Sequence, residues 1–142
     1  ICRLPLMIGL SGGFRGTFSL EMLKALDAGT PMNLFVDEYR TPVDGQSAAA
    51  GILAVLGKTV GILHLGGRHR ISRYDMGRRL AAIMECKEAN IHPVSITDAA
   101  AAAPRPPDVS LNSQQAYRLG YEPADLDRSL ERMVNASQEG RS

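Results

Sequence analysis

Aromatic residues are scarce: four Tyr, three Phe and no Trp, 5% of the 142 positions. A platform on which nucleic-acid bases stack needs more rings than that. An excess of either charge is missing too. Sixteen Lys and Arg against fifteen Asp and Glu leave +1, and the one basic concentration, Arg68-His69-Arg70 with Arg73, is short. Proteins that track phosphates present clustered positive charge, so nucleic acid is not an expected partner. Cysteine is confined to Cys2 and Cys86, neither with ligand residues at metal spacing, which excludes a disulfide framework and a zinc site. Both read as reduced core thiols of a cytoplasmic protein. The longest uncharged apolar run, Ser47 to Gly57, falls well short of the ~20 residues that cross a bilayer. Arg3 and Pro5 interrupt the first apolar run, so no secretory leader is read there and no membrane partner is expected.

What is present is the composition of a globular domain, 44% hydrophobic and 22% charged, long enough to bury a core without metal or disulfides. Residues 1–9 read as a buried strand, with Pro5 arguing for an edge or a strand end. A glycine-rich turn, Gly9 to Gly16, leads to a helix over Phe18–Ala28 that Gly29-Thr30-Pro31 stops. Met32–Val36 is strand-like, Gln46–Leu56 reads as a largely buried helix, and Val60–Leu65 as a strand buried on both faces. Ser72-x-x-Asp75 has the form of a capping box opening a helix with Met76, Leu80, Ile83 and Met84 on one side. A strand is expected at His92–Ile96, a loop at Ala99–Ala103, and a short helix from Asn112 that stops at Gly120. Pro123 suits the first turn of a last helix. Strands alternating with helices predict an α/β fold with a mostly parallel sheet.

Gly9, Gly12, Gly13 and Gly16 follow a strand, and a second strand runs into Asp37, where a dinucleotide fold keeps its ribose-binding acid. The spacing does not hold. A G-x-x-G-x-x-G series from Gly9 reaches Arg15, and one from Gly13 reaches Ser19. A phosphate loop is excluded because no G-K-[ST] occurs. A reductase that passes a proton from Tyr needs a Lys one helical turn later, but Tyr74 is followed by Arg78 and Tyr39 by Val43. His64, His69 and His92 read as packing or surface residues. No catalytic residue, cofactor-binding residue or metal ligand is therefore assigned within the chain.

Four ordered segments carry a resemblance. Arg3-Leu4 with Ile8-Gly9 is similar to a strand L-R-x-x-x-(V/I)-x-G, and Asp37-Glu-Tyr-Arg-Thr-Pro42 to a loop D-D-x-x-G-(S/T)-P. Gly61-Ile-Leu-His-Leu-Gly-Gly67 with Ser72-x-Tyr74-Asp75-x-Gly77 resembles G-(I/V)-(Y/F)-H-L-x-G followed by S-x-(Y/F)-(E/D)-(F/L)-A. Arg105-Pro-Pro-Asp108-x-Ser110-Leu111-Asn112 resembles R-P-x-(D/N)-x-x-L-D. Together they resemble the C-terminal half of an extended short-chain dehydrogenase/reductase of the dTDP-4-dehydrorhamnose reductase type. Two positions depart from the pattern: Ser47 stands where the family has an acid at a helix start, and Gln115 where a Lys is common.

The resemblance implies an α/β fold made of the last strands of a Rossmann-like sheet plus a small substrate-binding lobe. Residues 1–136 would form the substrate-binding half and 137–142 a frayed tail. The N-terminal Rossmann half, holding the NAD(P)H site and the Tyr/Lys pair, would lie upstream of Ile1. Its relatives reduce a 4-keto nucleotide sugar with NAD(P)H, and this chain alone would lack that activity. A non-catalytic binding protein on the same scaffold is the alternative, and a homodimer is left open. A nucleotide diphosphate calls for planar, fixed positive charge. Arg105 and Asp108 are the first substrate-binding candidates, since related epimerases touch the nucleotide with an R-x-G-D turn here. Arg40, Arg15 and Asn33 are further candidates for the cleft, and Arg68, Arg70 and Arg73 read as a solvated rim.

Overall fold

Pro5 divides the first apolar run into two short strands that serve different partners. In the computed structural model, which describes residues 1–10, 16–86, 89–98 and 106–139, these are β1 (Cys2–Arg3) and β2 (Met7–Ile8). The proline has no N–H to give a ladder, so the chain changes sheet where pairing would fail. β1 lies parallel to β6 (Leu63–His64), and β2 parallel to β5 (Val43–Asp44).

Helix α1 (Phe18–Asp27) starts where Thr17 Oγ1 accepts the Leu20 N–H and ends before Gly29, whose φ of 64° lets the chain reverse. It buries Met22, Leu23 and Leu26. β3 (Met32–Phe35) pairs in parallel with β8 (Ile91–Val94), and β4 (Tyr39–Arg40) runs antiparallel to β7 (Ile71–Ser72). Between them, α2 (Gly45–Val55) is capped by Asp44, and α3 (Arg73–Ile83) by Ser72, whose hydroxyl accepts the Asp75 N–H and donates to its carboxylate. α4 (Gln114–Arg118) is short, and α5 (Leu126–Glu139) closes the fold.

The expected α/β class is present. Pairing is three parallel pairs and one antiparallel pair among the described residues, not one continuous parallel sheet. The larger core joins Met22 and Leu26 of α1, Leu34 of β3, Leu80 of α3 and Leu130 and Met133 of α5. A smaller cluster holds Val55, Leu63, Leu65, Ala116 and Tyr121. Truncating a fully buried Leu such as Leu130 costs about 2–5 kcal/mol.

Several expectations are corrected. α2 buries only one face: Ser47, Ala48, Gly51 and Val55 are inside, while Leu53 and Leu56 are exposed. Pairing in the 60–65 segment is confined to Leu63–His64, with Val60 and Ile62 exposed, because β1 is the only strand beside it among the described residues. Cys2 is exposed on that same ribbon and is not a core thiol. Pro123 precedes the last helix; Asp125 is the residue that accepts the Asp127 N–H at its start. That helix runs on to Glu139, past Ala136. The Ala99–Ala103 segment lies outside the described residues.

Candidate functional site

The residues that follow β6, those around β4 and the 106–113 segment meet at one place. Gly66 and Gly67 let them approach. A Cβ on Gly67 would run into the Pro42 carbonyl oxygen, and one on Gly66 into the hydroxyls of Thr41 and Ser113. The approach is tied by hydrogen bonds. Gly67 N–H donates to Thr41 O (3.0 Å), Gly66 N–H to Ser113 Oγ (2.8 Å) and Leu111 N–H to Thr41 Oγ1 (3.0 Å). Beneath it, Tyr121 donates its hydroxyl to Leu65 O, and burial raises its pKa above the ordinary phenol range.

Above these ties opens a cleft of about 340 Å³ lined by Thr41, Gly67, Arg68, Arg70, residues 110–114 and Tyr117. Two guanidinium groups flank it, each against a tyrosine ring. Arg68 lies 5.4 Å from the Tyr117 ring centre and Arg70 3.6 Å from that of Tyr39. Arg70 also donates Nε to Asp108 Oδ2 at 2.9 Å and pairs its charge with the same oxygen, 2.8 Å from Nη2. Hydrogen bonds from Ser110 and then from Arg70 hold the Asp108 pKa at about 2. Fixed cations beside a wall that mixes apolar surface with the side-chain amides of Asn112 and Gln114 suit a phosphorylated ligand.

The five substrate-binding candidates are placed unequally. Asp108 borders the cleft through Arg70 and forms a bridge with Tyr39. Arg40 is nearly buried and lies outside the lining: its Nη2 pairs with Glu38 at 2.6 Å and its Nη1 donates to Tyr39 O. Asn33 is exposed on β3 beside Phe18, Glu21 and Ala25, so the structure does not bring it to Asp108. Arg15 and Arg105 lie outside the described residues. The presumed rim of arginines divides. Arg73 is not solvated; it pairs with buried Glu38 and covers the Phe18 ring at 3.9 Å. Arg68 and Arg70 are the cleft residues the sequence reading set aside. The signal was available only as Tyr39 and Tyr117, two of four tyrosines, since nothing local links either ring to its arginine.

Of the glycine turn, the end residues Gly9 and Gly16 are described. Gly12, Gly13 and Arg15 lie outside the described residues. At the start of α1, however, the Glu21 carboxylate reaches within 3.3 Å of where a Gly16 Cβ would stand, putting negative charge where a pyrophosphate would need donors. Asp37 accepts from the Ser95 hydroxyl and the Ile96 N–H, bonds that lower its pKa and engage its carboxylate in joining the ends of β3 and β8. β2 and β3 are not paired, as the first two strands of such a fold are. Among the described residues no group of three or more His, Cys, Asp or Glu could hold a metal ion. Nor is any described helix long and apolar enough to cross a membrane.

The family described as RmlD substrate binding domain matches residues 3–139. A search of the curated proteins finds no match. Among solved structures, a dTDP-4-dehydrorhamnose reductase from Bacillus anthracis in complex with NADP superposes with a TM-score of 0.80 at 18% identity, over 95% of this chain and 47% of that one. Its counterpart from Clostridium acetobutylicum gives 0.80 at 18%, over 96% and 48%. A UDP-glucuronic acid 4-epimerase from Bacillus cereus, in complex with UDP-glucuronic acid and NAD, gives 0.75 at 18%, over 97% and 44%. The chain thus spans just under half the length of these proteins. It belongs to the RmlD substrate binding domain family, and its α/β fold is that of the C-terminal part of Rossmann-like extended short-chain dehydrogenases/reductases.

Proposed function

We propose that this chain is the nucleotide-sugar-binding half of an NAD(P)-dependent cytoplasmic reductase acting on a 4-keto sugar nucleotide. The observation that carries the reading is the convergence of two segments bearing the family resemblance, Gly61–Gly67 and Asp108–Asn112, on one cleft with paired arginines. In such an enzyme the nicotinamide supplies the hydride, and it would be held by a second half of the protein. The residues of this chain bind and orient the sugar nucleotide and keep water from it. The flanking guanidinium groups meet the phosphates, and Asn112 and Gln114 offer amide groups to the sugar or base.

A second half also has a surface to sit on. Ile1, Leu53, Leu56, Val60 and Ile62 are half to almost wholly exposed around the two-stranded β1–β6 ribbon. Parallel strands are normally covered on both faces, and a second half docked on the ribbon would cover these. The test is calorimetric titration of the 142-residue chain with dTDP and with NADPH. Micromolar binding of dTDP without binding of NADPH is expected. Binding of NADPH without dTDP refutes the proposal.

A further inference from the structure

Arg70 is half exposed, yet its position is fixed from two sides. Its guanidinium carbon lies 3.6 Å from the centre of the Tyr39 ring, and the Nε side of the fork faces Asp108: Nε donates to Oδ2, and Nη2 stands 2.8 Å from the same oxygen. The carboxylate is itself anchored, with Asp108 Oδ1 accepting the Ser110 N–H at 2.8 Å. The backbone on either side is fastened to the same tyrosine: Tyr39 N–H donates to Pro107 O and Val109 N–H to Tyr39 O. Ring and carboxylate are therefore parts of one rigid mount. An exposed ion pair of this kind stabilises a fold by only about 0–1 kcal/mol, against ~2 kcal/mol of side-chain entropy in an arginine. Folding gains little from holding Arg70 still. A ligand gains more, because a guanidinium already oriented need not be ordered on binding.

We propose that Arg70 is the group that reads the phosphates of the ligand in this cleft, and that Asp108 is a positioning residue that orients Arg70 without touching the ligand. The proposal rests on the nucleotide-binding reading above and sharpens it. Asp108 uses the Nε side of the fork, so the other edge, bearing the Nη1 hydrogens, remains for a phosphate oxygen. Arg68, mounted on Tyr117 along the same cleft, supplies a second cation for a diphosphate.

The test is titration of the 142-residue chain with dTDP, dTMP and thymidine, on wild type, Arg70→Lys and Asp108→Asn, with urea midpoints checked for each. Wild type is expected to bind more tightly as phosphates are added. Arg70→Lys keeps the charge but not the fork, and should weaken dTDP roughly tenfold while leaving thymidine unchanged. Asp108→Asn is the sharper arm. It removes a negative charge near the phosphates, so a purely electrostatic role predicts tighter dTDP binding, whereas a positioning role predicts weakening, by about threefold to fivefold on loss of one charge-assisted bond. Unchanged dTDP affinity in Arg70→Lys, or tighter binding in Asp108→Asn, overturns this inference while the nucleotide-binding reading stands. A wild-type chain that binds neither dTDP nor thymidine overturns both.

Discussion

Replacing Gly67 by alanine tests how the cleft is assembled. The added methyl would occupy the position of the Pro42 carbonyl oxygen, a backbone atom that cannot swing aside as a side chain can. The 66–67 segment must then move away from 41–42. That movement strains three hydrogen bonds at once: Gly67 N to Thr41 O, Leu111 N to Thr41 Oγ1 and Gly66 N to Ser113 Oγ, all 2.8–3.0 Å long. At ~0.5–1.5 kcal/mol for each bond, plus ~1–3 kcal/mol for overpacking, the expected loss is about 2.5–7.5 kcal/mol. Set against total stabilities of about 5–15 kcal/mol, that is a large share. Gly45→Ala is the control. Its Cβ would meet nothing within 4 Å at the start of α2, and it should be neutral or stabilising by up to ~1 kcal/mol. Urea unfolding followed by far-ultraviolet circular dichroism reads both. With a slope near ~2 kcal/mol per M, Gly67→Ala should lower the midpoint by roughly 1.2–3.8 M. A midpoint within about 0.3 M of wild type, a shift worth ~0.6 kcal/mol, would show that the contact between these segments is looser than described.

Three further outcomes follow from the same geometry. Asp37, Asp44, Asp108 and Asp125 all have pKa values below the ordinary 3.8, so their contributions to stability are full above that value and lost as pH falls towards about 2, where Asp108 titrates. Urea midpoints should be flat from pH 5 to 7 and drop between about 4 and 2, with a shallower drop in Asp108→Asn. Glu38→Gln leaves Arg40 and Arg73 beside a neutral group in a nearly buried position and should cost about 3 kcal/mol in the same assay; a loss under ~1 kcal/mol would mean that solvent screens the trio. Leu53→Ser with Leu56→Ser should reduce self-association in light scattering while changing stability by no more than about 0.5 kcal/mol, because both side chains face solvent.

Local chemistry made most of the fold readable. The Ser72–Asp75 capping box, the stops at Gly29 and Gly120, and the apolar face of α3 depend on residues within a few positions of one another, and each is legible. The parallel partners were not, because β2 pairs with β5 and β3 with β8 across long stretches of chain. Ser47 shows the same limit. It looked like a missing acid, but Asp44 three residues earlier caps α2, and Ser47 Oγ donates to that carboxylate and accepts the Ala124 N–H. Burial works against the Asp44 charge, yet hydrogen bonds from Ser129 and Ser47 outweigh it and lower its pKa. At the site, Asp108 could be read from its motif. Arg70 could not, since its significance lies in a ring 31 positions earlier and a carboxylate 38 positions later.

The strand β6 joins two regions of opposite character. At Leu63 it pairs with β1 in a ribbon whose apolar surroundings are open, an arrangement that buries too little to be stable alone. Two residues on, Leu65 is fully buried, and Gly66 and Gly67 begin a cleft whose backbone donors find partners within this chain. Among the described residues the cleft's floor is tied by hydrogen bonds from three segments, whereas the β1–β6 ribbon has no third strand. The proposed function gives that asymmetry a use: the cleft residues would meet the ligand, and the exposed apolar surface beside the ribbon would receive the half that carries the cofactor.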